Sequence, residues 1–107
     1  MTNNLGALTG IKVLDLSRVL AGPFCTQILA DLGADVVKVE RPNVGDDTRY
    51  WGPPFTPDGT AAYFTCTNRN KRSITVNLKS KLGQEIILKL VKQSDILIEN
   101  YKTGELA

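Results

Sequence analysis

Histidine is absent from the 107 residues, and cysteine occurs only as Cys25 and Cys66. Without histidine no Ser–His–Asp or Cys–His set can be assembled. The two cysteines stand far apart, form no CxxC, and lack any metal-like spacing, so they read as reduced thiols and no metal is expected. Long hydrophobic runs are missing too. None approaches the roughly 20 apolar residues of a membrane span. The opening stretch MTNNLGALTG has neither the basic nor the apolar region of a secretory signal, so a cytoplasmic protein without a membrane partner is expected. One-sided charge is also absent. A net charge of +2 gives no argument for nucleic acid. There is no internal repeat and no low-complexity tract.

What is present is an ordinary globular composition of one-domain length, with 42% hydrophobic and 22% charged residues. Ile11 to Leu16 reads as a buried strand with Asp15 near its carboxyl end, and Ser17–Gly22 as a connection. Pro23 suits a first helical turn. Phe24, Ile28, Leu29 and Leu32 recur at helical spacing, which predicts that they face a sheet. Gly33 is placed to end that helix. Val36, Val37 and Val39 form a second strand, closing at Glu40-Arg41-Pro42. A long loop follows, with four of the five prolines and the run Trp51-Gly52-Pro53-Pro54-Phe55. Its large aromatics are expected to be buried, and ordered loops of this length are usually functional. Tyr63-Phe64 reads as a short helical turn. Ser73–Leu78 alternates as a third strand, with Ile74, Val76 and Leu78 on one face. Ser80 is placed to cap a second helix whose inward face is Leu82, Ile86 and Leu90, with Ile87 and Val91 beside them. Ile96–Ile98 make a fourth strand. The order β-α-β-loop-β-α-β implies an α/β, Rossmann-like open sheet, mainly parallel, with flanking helices.

Ligands of such sheets bind beyond the carboxyl ends of the strands. Four segments lie there: Ser17–Gly22, Glu40–Arg49, Lys79–Lys81 and Glu99–Gly104. GxGxxG is missing from the first connection, although a helix N-terminus at Pro23 still favours an anion. Arg41, at the end of the second strand, is placed to accept a ribose phosphate. The competing reading is a surface arginine paired with Asp46 or Asp47. Asn68-Arg69-Asn70-Lys71-Arg72-Ser73 reads either as a phosphate site or as a solvated turn. Asp46-Asp47 reads as a solvated or capping pair.

The segments VLDLSRVLAGP, LGADVVKVERP, GDDTR, WGPPF, NRNKRSI and SDILIENYKTG, in this order and spacing, resemble the CaiB/BaiF family, the family III CoA-transferases. The GDDTR…WGPPF form is similar to the branch acting on dicarboxylic acids, such as succinyl-CoA:glutarate transferases. The resemblance implies an enzyme moving CoA between an acyl-CoA and a carboxylic acid through an aspartyl anhydride and a thioester. It also implies an interlocked homodimer. Residues 1–107 would then be the N-terminal CoA-binding segment of a longer chain. Its CoA-binding residues would be Val19, Ala21, Arg41, Val76, Lys79, Asn100 and Tyr101. Leu20 stands where oxalate-specific members carry glutamine near the acyl group, which argues against oxalate as substrate. No catalytic residue is assigned: Asp15, Asp31, Asp35, Asp46, Asp47, Asp58 and Asp95 do not match the family's nucleophile, which lies past Ala107. A 2-methylacyl-CoA racemase is the alternative within the family. A stand-alone nucleotide-binding or interaction module is the alternative outside enzymes.

Overall fold

The computed structural model describes residues 6–106, so Ala107 and the first five residues of the stretch read above as lacking signal character lie outside the described residues. Along the chain run β1 (Lys12–Asp15), α1 (Ala21–Asp31), β2 (Asp35–Glu40), a 3-10 turn (Asp47–Tyr50), α2 (Ala62–Thr65), β3 (Lys71–Thr75), α3 (Lys81–Lys92) and β4 (Ile96–Ile98). The strands form one parallel sheet in the order β3-β2-β1-β4. Val13 pairs in register with Val36 on one side and Ile96 on the other. The α/β reading therefore holds. The connection reverses direction between β1 and β4, which makes their carboxyl ends the switch point where open sheets bind ligands.

Successive strand residues point to opposite faces, and the two faces differ in chemistry. Toward α3, Leu14, Leu16, Val39 and Val76 are buried, with Val37, Ile74, Leu78, Ile87, Leu90 and Val91 packed against them. Toward α1, Val13, Val36, Ala30 and Ala34 form a smaller apolar cluster near the amino ends of the strands. Nearer the carboxyl ends the α1 side turns polar, with Asp15, Lys38 and Glu40 all buried.

That polar layer corrects the helix faces read from spacing. Phe24, Ile28 and Leu32 lie exposed along α1, and its buried positions are Pro23, Thr26, Gln27 and Ala30. Thr26 and Gln27 face inward because they have partners there: Thr26 donates to Asp15 at 2.6 Å, and Gln27 donates to the Cys66 carbonyl at 3.0 Å. Leu29 does pack on the core as expected. In α3 the inward face is turned by a fraction of a turn. Leu82 and Ile86 are exposed, whereas Gly83, Ile87, Leu90 and Val91 face the sheet. The third strand begins at Lys71 instead of Ser73 and ends at Thr75. A lysine can open it because an aspartate of β1 neutralises the charge. Tyr50, Trp51 and Phe55 remain about half exposed, contrary to expectation. Their loop is held instead by hydrogen bonds and by ring contacts such as the edge-on Trp51–Tyr63 pair, with centroids 5.4 Å apart. Gly33 ends α1 at φ 108 as expected. No helix among the described residues is long and apolar enough to cross a membrane.

Ser80 caps α3 by accepting the Gly83 N–H at 2.9 Å. This draws the first turn against the Asn77 carbonyl, whose oxygen would lie 1.9 Å from a Cβ at position 83. Alanine in place of glycine normally favours a helix by about 1 kcal/mol. Here the clash dominates. Gly83→Ala is expected to destabilise the fold by about 1–3 kcal/mol, the range of an overpacked site, measured by denaturant unfolding.

Candidate functional site

The carboxyl ends of β1, β2 and β4 are tied together by side chains that seek backbone groups. Arg18 follows β1, and Asn100 follows β4. The Asn100 amide accepts from the Arg18 N–H at 3.1 Å and donates to the Arg18 carbonyl at 2.8 Å. The Arg18 guanidinium reaches the Asn100 carbonyl at 3.3 Å and stacks over the Tyr101 ring, 4.2 Å from its centroid. Its Nε is buried without a protein partner. Burial pushes the Tyr101 phenol up, against the opposing pull of Arg18 and Arg41, so the group stays neutral near pH 7.

Beneath this lies a layer of buried charge. Asp15 meets Lys71 at 3.0 Å, and the two side chains are 0% and 2% exposed. Burial lowers the Lys71 pKa, although Asp15 pulls the other way. Lys38 and Asp46 pair at 2.9 Å, each 1% exposed. Burial would raise the Asp46 carboxyl, yet the Thr48 N–H and the Lys38 ammonium outweigh it and hold the pKa below the usual range. Glu40 takes two bonds from Arg49 at 2.7 Å each, one from the Ser73 hydroxyl and one from the Asp46 N–H at 2.8 Å. Desolvation alone would raise Glu40, but these donors bring it from the ordinary 4.5 down to about 2.

Above the layer a groove of about 280 Å³ opens between the ends of β2 and β3. Four of the residues singled out from sequence line it: Arg41, Val76, Lys79 and Tyr101. The other four do not. Val19 and Leu20 sit on the β1–α1 connection, Ala21 opens α1, and the Asn100 side chain is committed to Arg18. Arg41 pairs with Asp47, both about half exposed, as one sequence reading allowed. Asp46 does cap the following turn, accepting the Thr48 N–H, but it is buried and not solvated. Of the cations after Asn68, Arg69 and Arg72 are solvent-exposed, as one sequence reading allowed, whereas the Lys71 side chain is buried. Arg69 pairs with Asp31, Arg72 with Asp35, and Lys71 with the buried Asp15.

Sequence reasoning missed Lys38, Glu40 and Arg49. The signal for Lys38 and Glu40 was the alternation Val37-Lys38-Val39-Glu40, which resembles a solvated strand face until opposite charges elsewhere, such as Asp46 and Arg49, are counted. Among the described residues no group of three or more His, Cys, Asp or Glu side chains is placed to hold a metal ion.

Residues 8–107 match the model of the family described as CoA-transferase family III. The succinyl-CoA:glutarate CoA-transferase of Homo sapiens is 56% identical over 106 residues, covering 98% of this chain and 24% of its own length. A formyl-CoA:oxalate CoA-transferase of Escherichia coli is 54% identical over 97 residues, covering 91% of this chain and 23% of that protein. The crystal structure of a CAIB/BAIF family protein from Brucella suis matches with a TM-score of 0.90 at 53% identity, over 94% of this chain and 27% of that one. The chain thus spans about a quarter of the length of the relatives it matches.

The depressed Glu40 pKa makes an acid-stability prediction. A carboxylate held below its unfolded value stabilises the fold fully above pH 4.5, and that contribution fades as pH falls toward about 2. Glu40→Gln should therefore lower stability at neutral pH and flatten the loss of stability between these values. Thermal unfolding across that pH range measures both effects.

Proposed function

Because the chain belongs to CoA-transferase family III, we propose that it is the CoA-binding segment of an enzyme moving CoA between an acyl-CoA and a carboxylic acid, by way of an aspartyl anhydride and an enzyme thioester. The observation that carries this is the groove at the ends of β2 and β3, where Arg41, Val76, Lys79 and Tyr101 converge. Val76 and Tyr101 offer apolar surface to an adenine. Arg41 and Lys79 offer positive charge to the phosphates of the same ligand. Val19 and Ala21 contact CoA through their backbone, and so does Asn100, whose side chain is already engaged. The proposed acids are dicarboxylates. Leu20, about half exposed at the start of α1, offers methylene contact but no hydrogen bond to a second carboxylate. The proposal includes an interlocked homodimer in the cytoplasm.

The nucleophile is supplied from outside this segment. Each of the seven aspartates has a partner of its own. Asp15 and Asp46 are buried in ion pairs, and Asp31, Asp35 and Asp47 pair with arginines. Asp58 bonds the Thr56 hydroxyl and the Thr60 N–H, and Asp95 accepts the Lys12 N–H at 2.9 Å. None stands unpaired in the groove.

Two measurements test the reading. Calorimetric titration of the full-length enzyme that carries this segment should show that Arg41→Glu weakens CoA binding by on the order of 1.5–3 kcal/mol or more, the value of a charge-assisted bond. Dephospho-CoA, lacking the ribose phosphate, should be much less affected. Equal loss for both ligands would remove Arg41 from that phosphate. Incubation of the chain with succinyl-CoA and glutarate should give no glutaryl-CoA above a no-protein control, followed by mass spectrometry. Turnover would place the nucleophile among the seven aspartates.

A further inference from the structure

Every backbone N–H from Ser17 to Val19 is taken by a side chain, the Ser17 N–H locally by Asp15 and the other two by distant residues, and the Ser17 and Arg18 carbonyls are likewise taken by distant side chains. The Ser17 N–H goes to Asp15 at 2.8 Å, and its carbonyl accepts from Lys38 Nζ at 3.0 Å. Arg18 is bracketed by the Asn100 amide. The Val19 N–H donates to Asp46 Oδ2 at 3.2 Å, the oxygen that also binds Lys38. Val19 itself has φ 73. A β-branched residue seldom adopts that left-handed conformation, because its side chain crowds the backbone. Strain of this kind persists where surrounding structure over-determines it, and it clusters at ligand sites.

We propose that Lys38 and Asp46 are positioning residues for CoA binding: their buried pair holds Ser17–Val19, with Val19 left-handed, in the shape that presents the β1–α1 connection to the ligand. The inference rests on the CoA-binding reading above. A purely stabilising role is a weaker account of the pair. Two charges removed from water gain little over apolar residues of similar volume. What an apolar pair cannot supply is an ammonium on the Ser17 carbonyl and a carboxylate on the Val19 N–H, two bonds that act on the loop on either side of Arg18.

The test compares CoA titrations, thermal unfolding and amide hydrogen exchange in the unaltered chain, Asp46→Asn, and Asp46→Asn combined with Val19→Gly. Asp46→Asn should weaken CoA binding about tenfold or more, the equivalent of one lost charge-assisted bond, and speed exchange at the Val19 amide. Glycine adopts the left-handed backbone without penalty, so adding Val19→Gly should recover about threefold or more of the affinity. A merely structural role would lower the unfolding temperature but give Val19→Gly nothing specific to restore. CoA affinity unchanged in Asp46→Asn, or no recovery on adding Val19→Gly, overturns the inference. If Asp46→Asn fails to fold because Lys38 is left unpaired, the apolar double variant Lys38→Met with Asp46→Leu replaces it. That variant should fold and bind CoA weakly, and parental affinity in it overturns the inference. An unaltered chain that does not bind CoA overturns the functional reading and this inference with it, whereas a chain that binds equally well with and without Asp46 overturns the inference alone.

Discussion

The ammonium of Lys38 lies inside the protein, 1% exposed, and an ion in that position needs both the Asp46 carboxylate and the Ser17 carbonyl around it. Meeting that need shapes the whole carboxyl end of the sheet. Asp46 belongs to the loop after β2, so the loop must fold back over the strand that carries Lys38. Once there, its own N–H binds Glu40, and its second oxygen caps the turn beginning at Asp47. The turn carries Arg49 back to Glu40 and leaves its guanidinium over the Phe64 ring at 3.8 Å. Arg41 starts the same loop and is braced by the Gly45 carbonyl at 3.1 Å. One wall of the groove is therefore a consequence of where a strand lysine finds its counter-charge.

The two faces of the sheet divide the work. Toward α3 the packing is apolar, the general driving force for folding, and it tolerates small rotations of the helix. Toward α1 the buried groups are charged, and each has a directional partner: Lys71 for Asp15, Asp46 for Lys38, Arg49 for Glu40. Such pairs contribute little net stability relative to apolar packing, but a misplaced one leaves a bare charge and is strongly penalised. That asymmetry specifies geometry. It places the stricter half of the interior directly beneath the loops that form the candidate site.

This division explains what was legible in the sequence. The β-α-β order, the strand runs around Val13, Val36 and Ile96, the Ser80 cap and the Gly33 helix end all follow from apolar periodicity and local turn chemistry. The family motifs named a set of residues of which Arg41, Val76, Lys79 and Tyr101 come together in one groove. The inward face of α1 was not legible. Phe24, Ile28 and Leu32 make a better apolar stripe than Thr26 and Gln27, and the choice is reversed by partners 11 and 39 residues away in Asp15 and Cys66. The β3 start at Lys71 failed for the same reason, since its counter-ion lies 56 residues back. Periodicity reports burial of apolar groups. It is silent on a polar side chain whose burial depends on a distant charge.

The candidate site accordingly has a rigid part and an adjustable part. The β1–α1 connection is held by buried bonds on Ser17, a part-buried one on Val19 and exposed ones on Arg18, and moving it would strand the Lys38–Asp46 pair. Arg41 is different. Its partner Asp47 is about half exposed, as is Arg41 itself, and exposed pairs of this kind contribute roughly 0–1 kcal/mol. A phosphate dianion offers a guanidinium more charge and more acceptor oxygens than one solvated carboxylate does. On the proposed reading, Arg41 would exchange Asp47 for a phosphate at little cost while keeping its bond to the Gly45 carbonyl, beside a connection already held in place. An exposed arginine pair beside a strongly committed backbone is the arrangement that the proposed long, flexible ligand would favour, since it would leave less ordering for binding to supply.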